Sequence, residues 1–435
     1  MELLYNLKVE ALRLVNVLNS KGYESYLIGN YPFIKYHNSN HPDEKLKIKQ
    51  FSIITNATLS DLQQLFTIKQ DKKSDFNKYV LIEDLLKSNL VYFKVYYATN
   101  YFNVVNKKEI VVNTIEDILS QFNFLIDTIR IDKNANMINY TNKKSSAFES
   151  VESKSLLING NFREKLTINP LIILDLCYRY SNLDYEINDS ILKVIANNYK
   201  YLKYTSVENI TKYFNMILES KYPSKGLKII KKTMSQLDYN DNNIFEFLEN
   251  ISDEYLEQMD KLNNSVDIIS RWSYLLKSFD EQTYLQIINN FNLPYLNKIV
   301  WLIQHFDIIR EKEYKLAIFN SKESLKMITE EKWDIFLLFQ MFNKLTTINS
   351  LLYPEYEQQC KNIIECIYCR PFFEYQLMYD DDDLVKIANV EKGNWLNITK
   401  QNLLLKIINC EKHPDEQQYL ELVKESIEYG LISDM

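Results

Sequence analysis

The sequence predicts an α/β region at the N-terminus and a mostly α-helical remainder. Two observations carry this. Over the first ~150 residues, short strand-like apolar runs alternate with segments of helical spacing, as in layered α/β folds. From about residue 155 onward, apolar residues recur at intervals of three and four. Breakers are few there, and Asn/Asp-rich turns such as Asn240–Asn243 and Asn292-Leu293-Pro294 separate the segments.

The elements follow in order. Leu4, Leu7, Val9, Leu12, Leu14, Val15 and Leu18 give an amphipathic helix ended by Lys21-Gly22. Tyr26–Gly29 and Phe51–Ile54 are short buried-strand signals. Thr58 is placed as the N-cap of a helix with Asp61 three residues on. Tyr79–Ile82 and Val91–Tyr97 are expected strands, and Phe124–Asp132 alternates towards its end as a half-buried strand does. Further on, Trp333–Leu345 is apolar almost all round, the mark of a buried helix.

Composition excludes several classes. With 46% hydrophobic and 25% charged residues the chain is globular rather than disordered. No apolar run approaches the ~18–20 residues of a membrane helix. Met1-Glu2-Leu3-Leu4-Tyr5 lacks the basic start of a signal peptide, so a cytoplasmic protein without membrane contact is expected. No glycine lies between Gly29 and Gly160, which argues against a glycine-rich phosphate cradle in that stretch. The net charge of −7 is uneven. Residues 1–150 hold 19 basic and 16 acidic side chains, and the rest hold 32 and 42, so no broad basic stripe marks nucleic-acid binding.

Other reactive groups are sparse. Five cysteines (177, 360, 366, 369 and 410) are an odd number for a disulfide framework. Cys366-x-x-Cys369 lacks a clear second ligand pair for zinc, with only Cys410 and His413 as distant candidates, and is read as buried helix. His37-x-x-x-His41 lies in a loop-like context that argues against a fixed helical metal pair. Asp380–Asp383 is read as a solvated turn, with a divalent-cation site as the alternative. No nucleophile-elbow or P-loop motif occurs. No metal or cofactor is expected.

The order of the elements resembles bacterial tRNA nucleotidyltransferases, the CCA-adding class, and the related poly(A) polymerases. The family's Tyr-hydrophobic-Val-Gly-Gly-x-Val-Arg-Asp meets Tyr26-Leu27-Ile28-Gly29-Asn30-Tyr31-Pro32-Phe33-Ile34. Its Asp-x-Asp-Ile-x-Thr-x-Ala meets Gln50–Ala57, and its Arg-Arg-Asp-Phe-Thr-x-Asn-Ala meets Gln121–Thr128. A neck pattern laid from Gly160 puts the nucleotide template on Ile168, Asn169 and Ile172. Gly393-Asn394-Trp395-Leu396 stands where the family has Gly-Pro-Trp, and Ile407–Asp415 is similar to its closing segment. The resemblance spans nearly the whole chain and is weakest between about 200 and 360.

It implies a nucleotidyltransferase-like head (1–155) with a mixed sheet and flanking helices, then a helical neck (156–200), body (201–350) and tail (351–435). It also implies that the chemistry has gone. The family's two metal-binding Asp are Gln50 and Ser52, and a further carboxylate is Lys94, an ammonium that repels divalent ions and can fill the vacated cation space. In the nucleotide pocket Gly29 remains, but the second Gly is Asn30 and the Arg-Asp pair is Phe33-Ile34. Ile168 and Ile172 cannot read a base edge. Asp61, Asp71 and Asp75 are the acids left nearby if the alignment slips. The expectation is a pseudoenzyme that binds tRNA or another structured RNA. A cluster of Lys221, Lys225, Lys228, Lys231 and Lys232 is its best basic surface, with Lys225, Lys228 and Lys232 on one helix face. A protein-interaction or regulatory scaffold, favoured by the acidic remainder and the 32 tyrosines, is the alternative. An active nucleotidyltransferase comes third.

Overall fold

The computed structural model describes residues 2–69, 79–86, 89–103, 107–142, 145–234, 243–262, 266–307, 335–361, 377–410 and 414–433. The chain divides into two compact units, Met1–Asp253 with Asn290–Asn292, and Glu254–Asn289 with Leu293–Met435.

The first unit opens with α1 (Glu2–Ser20), whose end at Gly22 (φ 89°) sits where the sequence placed the stop. A seven-stranded mixed sheet follows, in the order β3-β4-β5-β2-β1-β8-β9. Its strands are β1 (Ser25–Ile28), β2 (Ser52–Thr55), β3 (Ile68–Lys69), β4 (Tyr79–Leu86), β5 (Asn89–Tyr96), β8 (Arg130–Ile131) and β9 (Met137–Ile138). A separate pair is β6 (Tyr101–Phe102) with β7 (Glu109–Ile110). β2 runs parallel to β5, and the other pairings are antiparallel.

Alternation along the strands builds two cores. Leu27, Ile53, Phe93 and Val95 face α1 and α3 (Leu59–Leu65), packing with Leu14, Leu18 and Leu62. Ile28, Ile54 and Tyr96 face the opposite side, against Ile115, Ile118 and Leu119 of α4 (Ile115–Gln121). α2 (Asn30–Asn40) follows β1 directly. Thr58 caps α3 in a reciprocal capping box with Asp61, as expected. The segment read as a strand over 124–132 differs. Leu125–Thr128 is a turn of 3-10 helix, Arg130–Ile131 is the only strand in it, and Phe124 makes an isolated bridge to Ile158. Leu125, Ile126, Ile129 and Ile131 are all buried, so the apolar run marked burial rather than pleat.

Helices α5 (Ala147–Glu152), α6 (Phe162–Ile168), α7 (Ile172–Asn182), α8 (Asp189–Asn198), α9 (Val207–Leu218) and α10 (Pro223–Met234) complete this unit. Lys165 of α6 is buried and donates to the carbonyls of Ser120 (2.7 Å) and Phe122 (2.8 Å), closing the C-terminus of α4. Burial lowers its pKa to about 8. α7 and α10 cross closely at Gly226, whose N–H donates to Ser181 Oγ (2.9 Å).

The second unit is helical. It contains α12 (Ile268–Leu276), α13 (Glu281–Asn290) and α14 (Leu296–His305), with α11 (Asp253–Gln258) at the junction in sequence. The break at Asn292-Leu293-Pro294 is real, with Asn292 and Tyr295 at positive φ. α15 (Ile335–Leu352) buries Met341, Phe342 and Leu345, and Phe342 meets Trp301 edge-on at 5.1 Å. α16 (Asp381–Ala388), α17 (Trp395–Asn409) and α18 (Glu416–Ser433) share a core of Leu384, Trp395, Leu403, Tyr419 and Val423. No described helix is long and apolar enough to cross a membrane.

Candidate functional site

Ser52 and Lys94 define the site. Parallel pairing of β2 with β5 sets them directly opposite each other, so both side chains leave the same face of the sheet. The antiparallel pairing of β1 sets Ile28 on the other side of Ser52. Gly29 and Asn30 therefore turn from β1 into α2 at this same end. Gly29 has φ 74° and ψ −129°, a conformation open to glycine at little cost, with nothing within 4 Å of where a Cβ would stand. Asn30 Oδ1 accepts from the N–H groups of Lys49 (2.9 Å) and Gln50 (3.3 Å). It thus ties the start of α2 to the approach to β2, and its side chain is spent on backbone. Gln50 is exposed, while Ser52 is 5% exposed.

The Lys94 ammonium lies 3.8 Å from the Tyr79 ring centroid and 5.0 Å from that of Tyr96. Cation–π attraction holds it against two rings of the sheet face. It also acts electrostatically on Asp127, in the 3-10 turn before β8. Asp127 in turn is held by Arg179 of α7, with Nη1 to Oδ1 at 3.0 Å and Nη2 to Oδ2 at 2.9 Å. Arg179 Nε reaches Asp175 one helical turn earlier at 3.1 Å. This is a two-pronged guanidinium–carboxylate fork with a third carboxylate behind it. Burial raises the Asp127 pKa, offset in part by Arg179. Burial also opposes the guanidinium charge, but the two carboxylates outweigh it and raise the Arg179 pKa. The sequence held one signal for this network, the i, i+4 spacing of Asp175 and Arg179, and nothing that pointed from it to Asp127.

The other expected pocket positions are accounted for by packing. Phe33 and Ile34 are 6% and 3% exposed, and Phe33 meets the rings of His37 and Tyr185. Ile172 is fully buried. Asn169 closes α6, and its Oδ1 accepts from the N–H of Leu171 at 3.1 Å. Ile168 is half-buried at the end of α6. Ile168 and Ile172 offer no polar edge to a base, and the Asn169 amide oxygen is taken by backbone.

A divalent pair does not fit this end of the sheet. The paired positions supply a hydroxyl and an ammonium, Gln50 two residues earlier is an exposed amide, and the carboxylates of Asp127 and Asp175 are engaged by Arg179. Among the described residues no three His, Cys, Asp or Glu side chains gather as metal ligands would. Asp61 is committed to its capping box. Asp71 and Asp75 lie outside the described residues, as do Cys366, Cys369 and His413.

His37 and His41 differ from expectation. α2 runs to Asn40, so His37 is helical, and His41 is its C-cap, whose N–H donates to His37 O. The two rings are 4.9 Å apart. Three of their four nitrogens are already used: His37 Nδ1 meets the Tyr185 hydroxyl (2.9 Å) and Nε2 meets Glu44 O (3.1 Å), while His41 Nε2 meets Val151 O (2.9 Å). Asp380 is an N-cap in a capping box with Asp383, and Lys392 and Lys400 pair with Asp382 (2.6 Å) and Asp381 (3.0 Å).

The five lysines expected to face RNA lie on or just before α10. Lys225 is paired with Asp184 (2.9 Å), and Lys231 with Asp253 (2.9 Å) and Ile251 O (2.7 Å). Lys221 rests on the Tyr222 ring at 4.6 Å. Lys228 is half-buried and Lys232 exposed.

No protein-family model and no curated protein sequence matches the chain. Solved structures do. The Bacillus stearothermophilus CCA-adding enzyme in complex with CTP superposes with a TM-score of 0.65, at 15% identity, over 97% of this chain and 98% of that one. The chain has the fold of the CCA-adding enzymes. The Thermotoga maritima CCA-adding enzyme complexed with tRNA is similar at a TM-score of 0.56 and 14% identity, over 96% and 94% of the two chains. The sheet order and the placing of Gly29, Ser52 and Lys94 at one end are thus set in a CCA-adding-enzyme fold.

Proposed function

We propose that this chain is a non-catalytic, cytoplasmic RNA-binding protein on the tRNA nucleotidyltransferase fold, holding tRNA or another structured RNA without adding nucleotides. The observation that carries the reading is the register of Ser52 with Lys94. At the three positions where the sequence resemblance calls for carboxylates, two of them side by side, none carries a negative charge. Nucleotidyl transfer on this fold needs cations to activate a hydroxyl and neutralise a triphosphate. A fixed ammonium can neutralise charge, but it cannot lower the pKa of an attacking hydroxyl as a bound divalent ion does. The buried, apolar Ile172 and the backbone-held Asn169 oxygen weaken base reading as well. Binding survives such losses, because RNA is held largely through backbone and shape. The Thermotoga maritima protein of the same fold is complexed with tRNA along a comparable length of chain.

The test is direct. Incubated with tRNA lacking its 3′ end and labelled CTP or ATP, with Mg²⁺ or Mn²⁺, the protein incorporates no label above a no-protein control. It retains tRNA on a filter at low salt and releases it as salt rises. Incorporation would overturn the reading. Absence of retention would leave the second reading, a protein-interaction scaffold, which the Lys225–Asp184 and Lys231–Asp253 pairs favour by consuming basic charge.

A further inference from the structure

The segment Tyr199–Tyr204 joins α8 to α9 as six consecutive residues of 3-10 helix, longer than the usual three or four. Three residues per turn place i and i+3 one above the other, so the sequence Tyr-Lys-Tyr-Leu-Lys-Tyr is sorted into three rows. One row is Tyr199 and Leu202. Leu202 is 6% exposed and roots the segment in the core. The second is Lys200 and Lys203, both exposed. The third is Tyr201 and Tyr204, with ring centroids 6.4 Å apart. Thr205 ends the segment, its N–H and Oγ1 both donating to Leu202 O (2.9 and 2.6 Å).

The outward rows have chemistry complementary to a polyanion that carries flat rings. No acidic residue occurs between Asp189 and Glu208. Neither Lys200 nor Lys203 forms an ion pair among the described residues. Tyr204 is 49% exposed, unusual for a large aromatic group, and its one cationic neighbour is Lys203 at 5.7 Å from the ring centroid. The α10 lysines differ, since two of them are engaged by acids. Stacked bases and phosphates alternate along a single strand much as these rings and ammonium groups do here.

We propose that the Lys200/Lys203 and Tyr201/Tyr204 rows form a docking surface for unpaired nucleotides of an RNA partner. This rests on the RNA-binding reading above and assigns part of the binding to a single-stranded segment. Tyr204 stacks on a base, and the two lysines contact the flanking phosphates.

Fluorescence anisotropy on the full chain tests it with three labelled probes: an oligoadenylate of about ten nucleotides, a fully paired RNA hairpin and a polyglutamate peptide. Tyr204→Ala is expected to weaken oligoadenylate binding about five-fold or more, with Tyr204→Phe close to the parent. Lys200→Ala with Lys203→Ala should flatten the dependence of log affinity on log salt by about 1.4. Circular dichroism matching the parent shows that the exposed substitutions leave the fold intact. If every variant binds oligoadenylate like the parent while hairpin binding persists, the surface is overturned and the RNA-binding reading stands. If the parent binds neither RNA, both fall. Polyglutamate bound as tightly as oligoadenylate, and indifferent to Tyr204→Ala, would also overturn the nucleotide assignment.

Discussion

Ser52 and Lys94 stand side by side on parallel strands, a hydroxyl beside an ammonium at the end of the sheet where β1 turns into α2. This pairing decides what simple restoration can do. An Asp at position 52 would find the Lys94 cation first and form an ion pair rather than a metal site. Gln50→Asp with Ser52→Asp is therefore expected to bind no Mn²⁺ by electron paramagnetic resonance and to incorporate no nucleotide. Adding Lys94→Glu removes the competing cation, and Mn²⁺ binding should then appear, still without incorporation, because Ile172 is apolar and buried and the Asn169 amide oxygen is held by the Leu171 N–H. Nucleotide incorporation by the double variant would refute the role given to Lys94.

Arg179 holds two carboxylates at once, Asp127 and Asp175. Removing it leaves Asp127 and Asp175 together, 17% and 13% exposed, with their charges uncompensated. Arg179→Met should cost about 2–3 kcal/mol in urea denaturation, at the lower end for a buried pair because both partners keep some water. Combining it with Asp127→Asn should cost less than the sum of the two single changes. Strict additivity would show that the fork contributes nothing as a unit.

The legible and illegible parts of this molecule separate by physical cause. Local signals read well. The Thr58–Asp61 cap, the stop at Gly22 and the strands around Ile53 and Val95 depend on neighbours in sequence. Phe124–Asp132 misled because tertiary burial made a run apolar without pleating it, and the 3-10 turn at Leu125–Thr128 resulted. His37-x-x-x-His41 looked like a loop because Asn, Ser and Pro are poor helix formers. Packing of Phe33, Ile34 and His37 outweighs that weak propensity. At the site, the substituted positions were found by order and spacing. The Asp127–Arg179 fork was not, since 52 residues separate its partners and only the folded chain joins them. Ion pairing of Lys225 with Asp184 was hidden for the same reason.

Two of the six glycines exist for close helix crossings. A Cβ on Gly226 would collide with Ser181 Oγ and stand 2.8 Å from Cys177 O of α7. A Cβ on Gly430 would collide with Thr399 Oγ1 and stand 2.8 Å from Trp395 O of α17. Backbone carbonyls cannot swing aside, so the helices must separate. Gly226→Ala and Gly430→Ala are each expected to destabilise by about 1–3 kcal/mol, despite alanine's better helix propensity. Hydrogen exchange should locate the first loss in α7 and α10 and the second in α17 and α18. A gain in stability for either would mean the crossing has slack.

The buried histidine predicts how stability varies with pH. Glu44 O can only accept, so His37 Nε2 carries the proton and Nδ1 accepts from the Tyr185 hydroxyl. Both nitrogens are satisfied in the neutral ring, and a second proton would displace the Tyr185 bond. Burial lowers the His37 pKa, with His41 and Lys154 adding to the effect and Glu44 opposing it. The folded state therefore binds a proton less readily than the unfolded chain, whose histidine titrates near 6.5. The stability contributed by the neutral ring is complete above that value and is lost as pH falls through it towards the lower folded pKa. Carboxylates paired with Lys154 and Lys225 titrate further down, since Glu44 and Asp184 lie below their ordinary values. The midpoint of thermal unfolding should thus be level from pH 8 to 7 and fall between pH 6.5 and 5, before those acids respond. In His37→Gln, which keeps an amide donor and a carbonyl acceptor without a titrating ring, that step should shrink. An unchanged step would assign the pH response to other groups and show that the His37–Tyr185 bond does not report acid.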